Sequence, residues 1–301
     1  MKTSVVLSTY NGEKYIRAQL DSLKNQSQPI DEVLILDDSS SDATVDIISS
    51  YLKENQLNNW VLHQNKKNIG WRRNFICGIQ KCSGDLIFTC DQDDIWSPYK
   101  IEKMRSVMEN QKEIKLLVSS YIEFHDTPPA FTSNGDAKAV KMACPSNILD
   151  VSYPGCTYCF RRTFFEDCLP YWIETCPHDA LLWRSAELLD CLYILNEPLI
   201  LWRKHNTSAW QKETHTVSRR TELEWRSLEK IELENLMRFA QDQDISTDKI
   251  ELIHQNLAWC ITRSNFLAQK DLFTGIKLIK FLKQYHGVKQ YIKDWIIAFG
   301  K

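Results

Sequence analysis

Glycine is scarce and widely spaced in this 301-residue chain: there are nine, and no two lie closer than six positions. A G-x-G-x-x-G turn needs glycines two apart and a G-x4-G-K-[ST] loop needs them five apart, so neither phosphate-binding loop can form. A Rossmann dehydrogenase and a P-loop ATPase are disfavoured by that spacing alone. Long apolar runs are also missing, since no stretch approaches the roughly 18 residues of a spanning helix. The opening apolar stretch, Val5-Val6-Leu7, is too short for a secretory signal. A cytoplasmic protein is therefore expected. Charge of one sign is not in excess either: Lys+Arg 37 against Asp+Glu 39 leaves −2. The chain lacks the global basic field of nucleic-acid binders, and nucleic acid is not an expected partner. Its ten cysteines contain one C-x-x-C, Cys156 to Cys159, with no second pair to complete a zinc site. They are expected to behave as small buried apolar residues.

The first third of the chain alternates short apolar runs with amphipathic stretches. Val5-Val6-Leu7, Val33-Leu34-Ile35-Leu36, Trp60-Val61-Leu62 and Leu86-Ile87-Phe88-Thr89 read as strands. Helical spacing follows the first (Ile16, Leu20, Leu23) and the second (Val45, Ile48, Leu52, behind the Ser39-Ser40-Ser41-Asp42 capping cluster). Residues 70 to 81 also read as helix, and Ser97-Pro98 looks like a helix start. Continuous apolar strands alternating with helices predict an α/β fold with a mostly parallel sheet flanked by helices. A polar stretch from Thr127 to Lys141, with Asn134-Gly135, reads as a surface loop. A helix is expected after Pro177 and a strand over Pro198–Trp202. From about Val217 the pattern is helical, with stripes Leu228, Ile231, Leu236, Phe239 and Ile250, Ile253, Leu257, Cys260.

In parallel α/β sheets, ligands bind at the carboxyl ends of the strands. Carboxylates stand there: Asp37-Asp38 after the second strand and Asp91-Gln92-Asp93-Asp94 after the fourth. A nucleotide diphosphate-sugar explains this placement. Its diphosphate leaves with developing charge, and a divalent cation such as Mn²⁺ or Mg²⁺, held by one or two carboxylates, neutralises that charge. Asp91 and Asp93 then serve metal and ribose or sugar, while Asp37 and Asp38 accept from a pyrimidine N–H and a ribose hydroxyl. Helix capping is the competing reading, and Asp42 is expected to do only that.

Several segments, in order, are similar to the inverting family 2 glycosyltransferases of the GT-A fold. Ser8-Thr9-Tyr10-Asn11-Gly12 through Ile16 resembles their first signature, and Asp37-Asp38-Ser39-Ser40-Ser41-Asp42 resembles their D-D-x-S-x-D element. Asn68-Ile69-Gly70, Arg73-Asn74 and Gly84-Asp85 lead to Asp91-Gln92-Asp93-Asp94-Ile95-Trp96, the form of bacterial rhamnosyltransferase-like members that build surface polysaccharides. Gly155-Cys156-Thr157, His178-Asp179 and Trp202-Arg203-Lys204-His205 match later elements, so the resemblance spans roughly residues 3 to 210.

The resemblance implies a catalytic domain over residues 1–210, with nucleotide-sugar binding in 1–100 and acceptor binding in 101–210. Residues 211–301 then form a helical C-terminal region. It implies that Thr9, Tyr10, Asn11, Asp37, Asp38, Arg73, Asp91 and Asp93 bind the nucleotide-sugar. Asp179 becomes the general base, Asp93 and His205 the metal site, and Gly155, Cys156, His178 and Trp96 the surroundings of sugar and acceptor. Glycan or lipid-linked saccharide acceptors are expected. Arg203, Lys204 and His205 could form a cationic cluster for the departing diphosphate, and Trp71 is a second candidate to flank the sugar. Lys277, Lys280, Lys283, Lys289 and Lys293 run beside Phe273, Ile276, Ile279, Phe281, Trp295, Ile296 and Phe299 near the C-terminus. They fit either peripheral contact with the inner face of the membrane or a helical cap over the catalytic domain. Two alternatives stand beside the enzyme reading. One is a sugar-nucleotide nucleotidyltransferase, although its glycine-rich basic loop after the first strand is missing. The other is a nucleotide-sugar-binding subunit without chemistry.

Overall fold

The computed structural model describes residues 1–132, 137–205, 218–285 and 287–300. Its strands are β1 (Thr3–Thr9), β2 (Glu32–Asp37), β3 (Trp60–Gln64), β4 (Leu86–Asp91), β5 (Ile95–Trp96), β6 (Leu116–Phe124), β7 (Ala139–Lys141), β8 (Tyr158–Arg161) and β9 (Leu192–Arg203). Its helices are α1 (Ile16–Lys24), α2 (Thr44–Glu54), α3 (Trp71–Lys81), α4 (Lys100–Asn110), α5 (Arg162–Cys168), α6 (His178–Leu188), α7 (Arg219–Asp242), α8 (Thr247–Gln269), α9 (Leu272–Lys277) and α10 (Val288–Phe299).

The four apolar runs of the first third become β1 to β4, paired in parallel in the order β3-β2-β1-β4. The chain winds outward from β1 through α1 and α2. It then crosses by α3 to the other side of β1 to lay down β4. That reversal makes the carboxyl ends of β1 and β4 the topological switch point, where α/β sheets open a crevice for ligands. Beyond β4 the sheet continues β8-β6-β9-β5, with β7 also paired to β9. Here β8 is antiparallel to both β4 and β6, while β6 and β9 are parallel.

Alternate residues of β1 face opposite layers, as strand geometry requires. Val5 and Leu7 pack with Ile16 and Leu20 of α1, Ile48 of α2 and Met104 of α4. Val6 packs with Phe75 and Ile79 of α3, and this second core runs on through Leu182 of α6 to Phe239 of α7 and Phe266 of α8. The C-terminal helices therefore extend one face of the sheet. They are also tied to α6: Arg184 pairs with Glu232 at 2.5 Å, and the Lys249 ammonium donates to the Glu187 and Leu188 carbonyls.

Several sequence-based expectations shift. Ser97 stays with the sheet, its N–H donating to the Leu199 carbonyl, and α4 begins three residues later without a side-chain cap. Asp42 accepts from Thr44 and from the Glu13 N–H, which ties two loops together, while the cap position of α2 is Ala43. On α7 the buried face is Leu233, Leu236 and Phe239, and Ile231 points outward. The strand expected over Pro198–Trp202 is the end of the 12-residue β9. The loop over Thr127–Lys141 contains the short β7, and its Asn134-Gly135 lies outside the described residues, as does Val217. The 210/211 division falls there too.

Candidate active site

The walls of the switch-point crevice are three loops laced by side chains. After β1, the Tyr10 N–H donates to the Gln92 side chain, whose amide donates back to the Tyr10 carbonyl at 3.0 Å. Asn11, at φ +47°, accepts from the Ser41 N–H and donates its own N–H to Ser40. The β1, β2 and β4 exits are thus one unit, with the Tyr10 ring left exposed on its rim.

Asp37 and Asp38 serve this framework. Asp37 accepts from the Thr9 hydroxyl at 2.9 Å and from the Ser40 N–H at 2.8 Å. Asp38 takes the Asn65 amide and the N–H groups of Ile69 and Gly70 at 2.8–2.9 Å. Their residues are 0% and 2% exposed, and Thr9 is 1% exposed. The polar atoms of Thr9, Asp37 and Asp38 thus meet protein partners and set the shape of the wall. Asn74 does the same from α3, donating to the Ser8 hydroxyl and the Leu36 carbonyl at 2.8 Å. Arg73, next to it, is exposed and pairs with Glu174 at 3.0 Å, not with the crevice.

The acidic floor comes from the β4 exit. Asp91 is partly exposed and stands opposite Ser8 in register. Burial of its carboxyl, with the charges of Asp93 and Asp179 nearby, pushes its pKa up to about 7. Asp94 is buried, accepts from the Arg203 N–H at 3.0 Å, and is also pushed well up by burial and its acidic neighbours. The Cys156 thiol shares this cluster: ligand atoms of Asp91, Asp94 and Cys156 lie within 4.8 Å of one another. Burial and the neighbouring Asp94 and Asp91 charges raise the thiol's pKa well above its ordinary value. Beneath it the buried Lys100 donates to the Cys156 carbonyl at 2.8 Å and sits 4.1 Å from the centre of the Trp96 ring.

Asp93 points elsewhere. Its carboxylate meets His205 Nε2 at 2.6 Å, and the imidazole lies against the Tyr15 ring, 5.0 Å between centres. Both side chains are partly exposed. A carboxylate and an imidazole side by side at a strand-end crevice are a donor set that suits Mn²⁺, with remaining positions open to phosphate oxygens and water. Arg203 braces them, its guanidinium donating to the Asp93 carbonyl at 2.8 Å while packed between Tyr15 and Phe124. Lys204 turns away to Trp202 and Glu123, so the expected cluster of three cations does not form.

Across the crevice, Asp179 sits in the first turn of α6 and is partly exposed, with Pro177 in the cap position. Its carboxylate accepts from the Ala180 N–H at 2.8 Å. Gly155 opens the 3₁₀ turn Gly155–Thr157 against this helix start, its carbonyl accepting from Thr89 at 2.6 Å. A Cβ at Gly155 would lie 2.8 Å from His178 and 3.0 Å from Asp179, so only glycine permits the approach.

Two expected neighbours of the sugar lie inward here. Trp96 is 1% exposed in the core below the floor. His178 is buried and stacks on Phe75 at 4.2 Å, and burial lowers its pKa. Asn74, Gln92 and Lys100 were not identified as site residues by sequence reasoning, and Arg203 was expected only as a cation for the departing diphosphate. Lys100 carried a signal, because it occupies the apolar stripe of α4 with Met104 and Met108.

The profile of Glycosyl transferase family 2 matches residues 4–167, which include β1, β4 and the Gly155 turn. The chain is 35% identical over 133 residues to EpsH of Bacillus subtilis, covering 44% of this chain and 37% of that protein. It is 30% identical over 158 residues to Escherichia coli WfaP, named a UDP-Glc:alpha-D-GlcNAc-diphosphoundecaprenol beta-1,3-glucosyltransferase, covering 49% of this chain and 60% of that one. The chain thus spans well under two thirds of both relatives. Among solved structures, S. aureus TarS in complex with UDP-GlcNAc superposes with a TM-score of 0.64 at 20% identity, covering 98% of this chain and 81% of that one. A Pyrobaculum calidifontis mannosyltransferase in complex with GDP-Man and Mn²⁺ gives 0.53 at 14% identity, covering 99% and 84%. The two solved structures share the fold of this chain. With more than half its length matched by the family profile, the chain belongs to glycosyl transferase family 2.

Proposed function

We propose that the protein is an inverting glycosyltransferase that moves a sugar from a nucleotide diphosphate-sugar to a hydroxyl of a glycan or lipid-linked acceptor. The carrying observation is that Asp91 leaves β4 at the β1/β4 switch point with the charges of Asp93 and Asp179 acting on its carboxyl and with Asp93 paired to His205. Residues 1–100 are assigned to the donor, 101–210 to the acceptor, and 211–301 to a helical C-terminal region. Inversion takes one displacement: the acceptor oxygen bonds to the anomeric carbon, the bond from that carbon to the diphosphate oxygen breaks, and the acceptor proton passes to Asp179. Tyr10, Asn11 and Asp91 face the nucleotide-sugar, with Gly155 and Cys156 beside the transferred sugar. Asp93 and His205 hold the divalent cation, Mn²⁺ or Mg²⁺, which when bound neutralises charge on the departing diphosphate.

The donor is a UDP- or dTDP-sugar. WfaP's named UDP-Glc donor supports the first, and the Asp91-Gln92-Asp93-Asp94-Ile95-Trp96 form of rhamnosyltransferase-like members supports the second. WfaP's diphosphoundecaprenol acceptor supports a lipid-linked acceptor, work at the inner face of the membrane, and a role in bacterial surface polysaccharide synthesis. Among the described residues no helix is long and apolar enough to cross a membrane, so contact would be peripheral. A screen of sugar nucleotides for release of UDP, TDP or GDP, with and without Mn²⁺ or Mg²⁺, tests the reading. One donor class should give metal-dependent release, and Asp179→Asn should lose about 10²- to 10⁴-fold of it while keeping donor affinity. No release from any donor, or an Asp179→Asn variant as active as the parent, would overturn it.

A further inference from the structure

The last two helices bury one side and leave the other uncovered. α9 continues into a 3₁₀ turn, Leu278–Phe281, and along this segment Gly275, Leu278 and Phe281 are buried. On α10 the buried residues are Asp294 and Ala298. Both buried sides meet α8. A Cβ on Gly275 would touch Phe266 and Trp295, and Arg263 of α8 holds Asp294 by two bonds of 2.6 and 2.7 Å. The outer sides therefore both point away from α8. They carry Phe273 at 77% exposed and Ile276, Ile279, Ile292 and Ile296 at 50–64%. On α10, Ile292 and Ile296 are four apart, one helical stripe. Scattered exposed apolar side chains need no explanation, but five on two helices that pack together at Gly275 and Trp295 mark a contact surface.

Charge decides what the surface contacts. Between Leu272 and Gly300 stand five lysines, Lys277, Lys280, Lys283, Lys289 and Lys293, and one acidic residue, Asp294. That aspartate is 0% exposed beneath Arg263, so the five lysines dominate the outer charge, with the capping Asp271 at the edge of α9 the acidic exception. A second copy docked by two-fold symmetry would set lysines against lysines. An anionic headgroup layer attracts all five while the apolar side chains enter the acyl boundary. We propose that the outer face of α9 and α10 docks on an anionic lipid bilayer, laying the enzyme on the membrane surface. This inference goes beyond the transferase reading and does not depend on it.

The test is co-sedimentation of the full chain with vesicles of phosphatidylcholine alone or phosphatidylcholine with phosphatidylglycerol. At low salt the protein should pellet with the anionic vesicles and stay in the supernatant with the neutral ones, and high salt should release it. Replacing Lys280 and Lys283 together by Gln should weaken partition by about fivefold per lysine. Phe273→Ser with Ile296→Ser should weaken it at least tenfold. These positions are exposed, so thermal melting of the variants should match the parent. Equal pelleting with both vesicles, no pelleting with either, or a dimer in solution that the Phe273→Ser, Ile296→Ser variant abolishes would each overturn the proposal. Nucleotide release from a soluble donor reports separately on the active site, so the two claims fail independently.

Discussion

Single side chains in this molecule are governed by whether burial is compensated. Glu187 is the clearest case: one oxygen accepts from the Trp183 indole at 2.8 Å and the other is buried without a hydrogen-bond partner. Burial raises its pKa from 4.5 to about 8, and Arg184 and Lys249 offset this only in part. Between pH 4.5 and 8 the unfolded chain ionises Glu187 freely while the folded chain holds the proton, so stability falls as pH rises across that window. Glu187→Gln should therefore stabilise the protein by on the order of 1–3 kcal/mol at pH 8 and by much less at pH 4.5. Calorimetric melting at both values checks this, and an equal shift at both would contradict it. Gly155→Ala makes a second prediction at this scale. The added methyl must push the Asp179 turn, so turnover should fall roughly tenfold to a hundredfold with little change in donor affinity. Steady-state kinetics with the identified donor separate the two parameters. Asp91 and Asp93 were legible because a strand end carries them to the crevice, whereas Asp179 and His205 entered only through the family resemblance. Which way Trp96, His178 and Arg73 face was not legible, because it depends on packing against Lys100, Phe75 and Glu174.

Whole elements were legible where one apolar face or run dictated them. β1 to β4 and α3 follow from hydrophobic runs and period alone, and so does the parallel half of the sheet. β6 and β8 were harder. Their buried residues sit in mixed sequence, and antiparallel pairing to β4 depends on a crossover of some 65 residues that local pattern does not encode. Helix starts were misread for a related reason. Ser97 and Asp42 look like caps, yet Ser97 also gives its N–H to the Leu199 carbonyl and Asp42 divides its carboxylate between Thr44 and the Glu13 N–H. Asp38 shows the same economy at the scale of a segment, since three donors from residues 65–70 converge on its carboxylate. Asp38→Ala should leave those donors unsatisfied and cost about 2–3 kcal/mol. Amide exchange at Ile69 and Gly70 should accelerate far more than exchange in β1. Uniform acceleration across the sheet would show that Asp38 has no local role.

At the scale of the molecule, one apolar layer runs from the sheet through α6 into α7 and α8, so the C-terminal helices are expected to unfold with the sheet. Phe239, fully buried on α7 against Tyr171 at 5.2 Å, tests this. Phe239→Ala should cost about 3–5 kcal/mol and lower a single melting transition seen alike by circular dichroism and tryptophan fluorescence. Two separated transitions would mean that the helices form their own unit. The sequence made the helical C-terminal region readable, but not its union with the catalytic sheet, because contacts such as Arg184 with Glu232 join stretches that no local period connects. The central claim concerns the opposite edge, where the sheet's reversal between β1 and β4 gathers acidic side chains for a diphosphate and its cation. The most direct measurement is a crystal structure with a nucleotide diphosphate and Mn²⁺, using the metal's anomalous signal. The account predicts a peak bound by Asp93 and His205, bridged to the diphosphate in the β1/β4 crevice. Nucleotide and metal bound elsewhere, with Asp93 still paired only to His205, would contradict it.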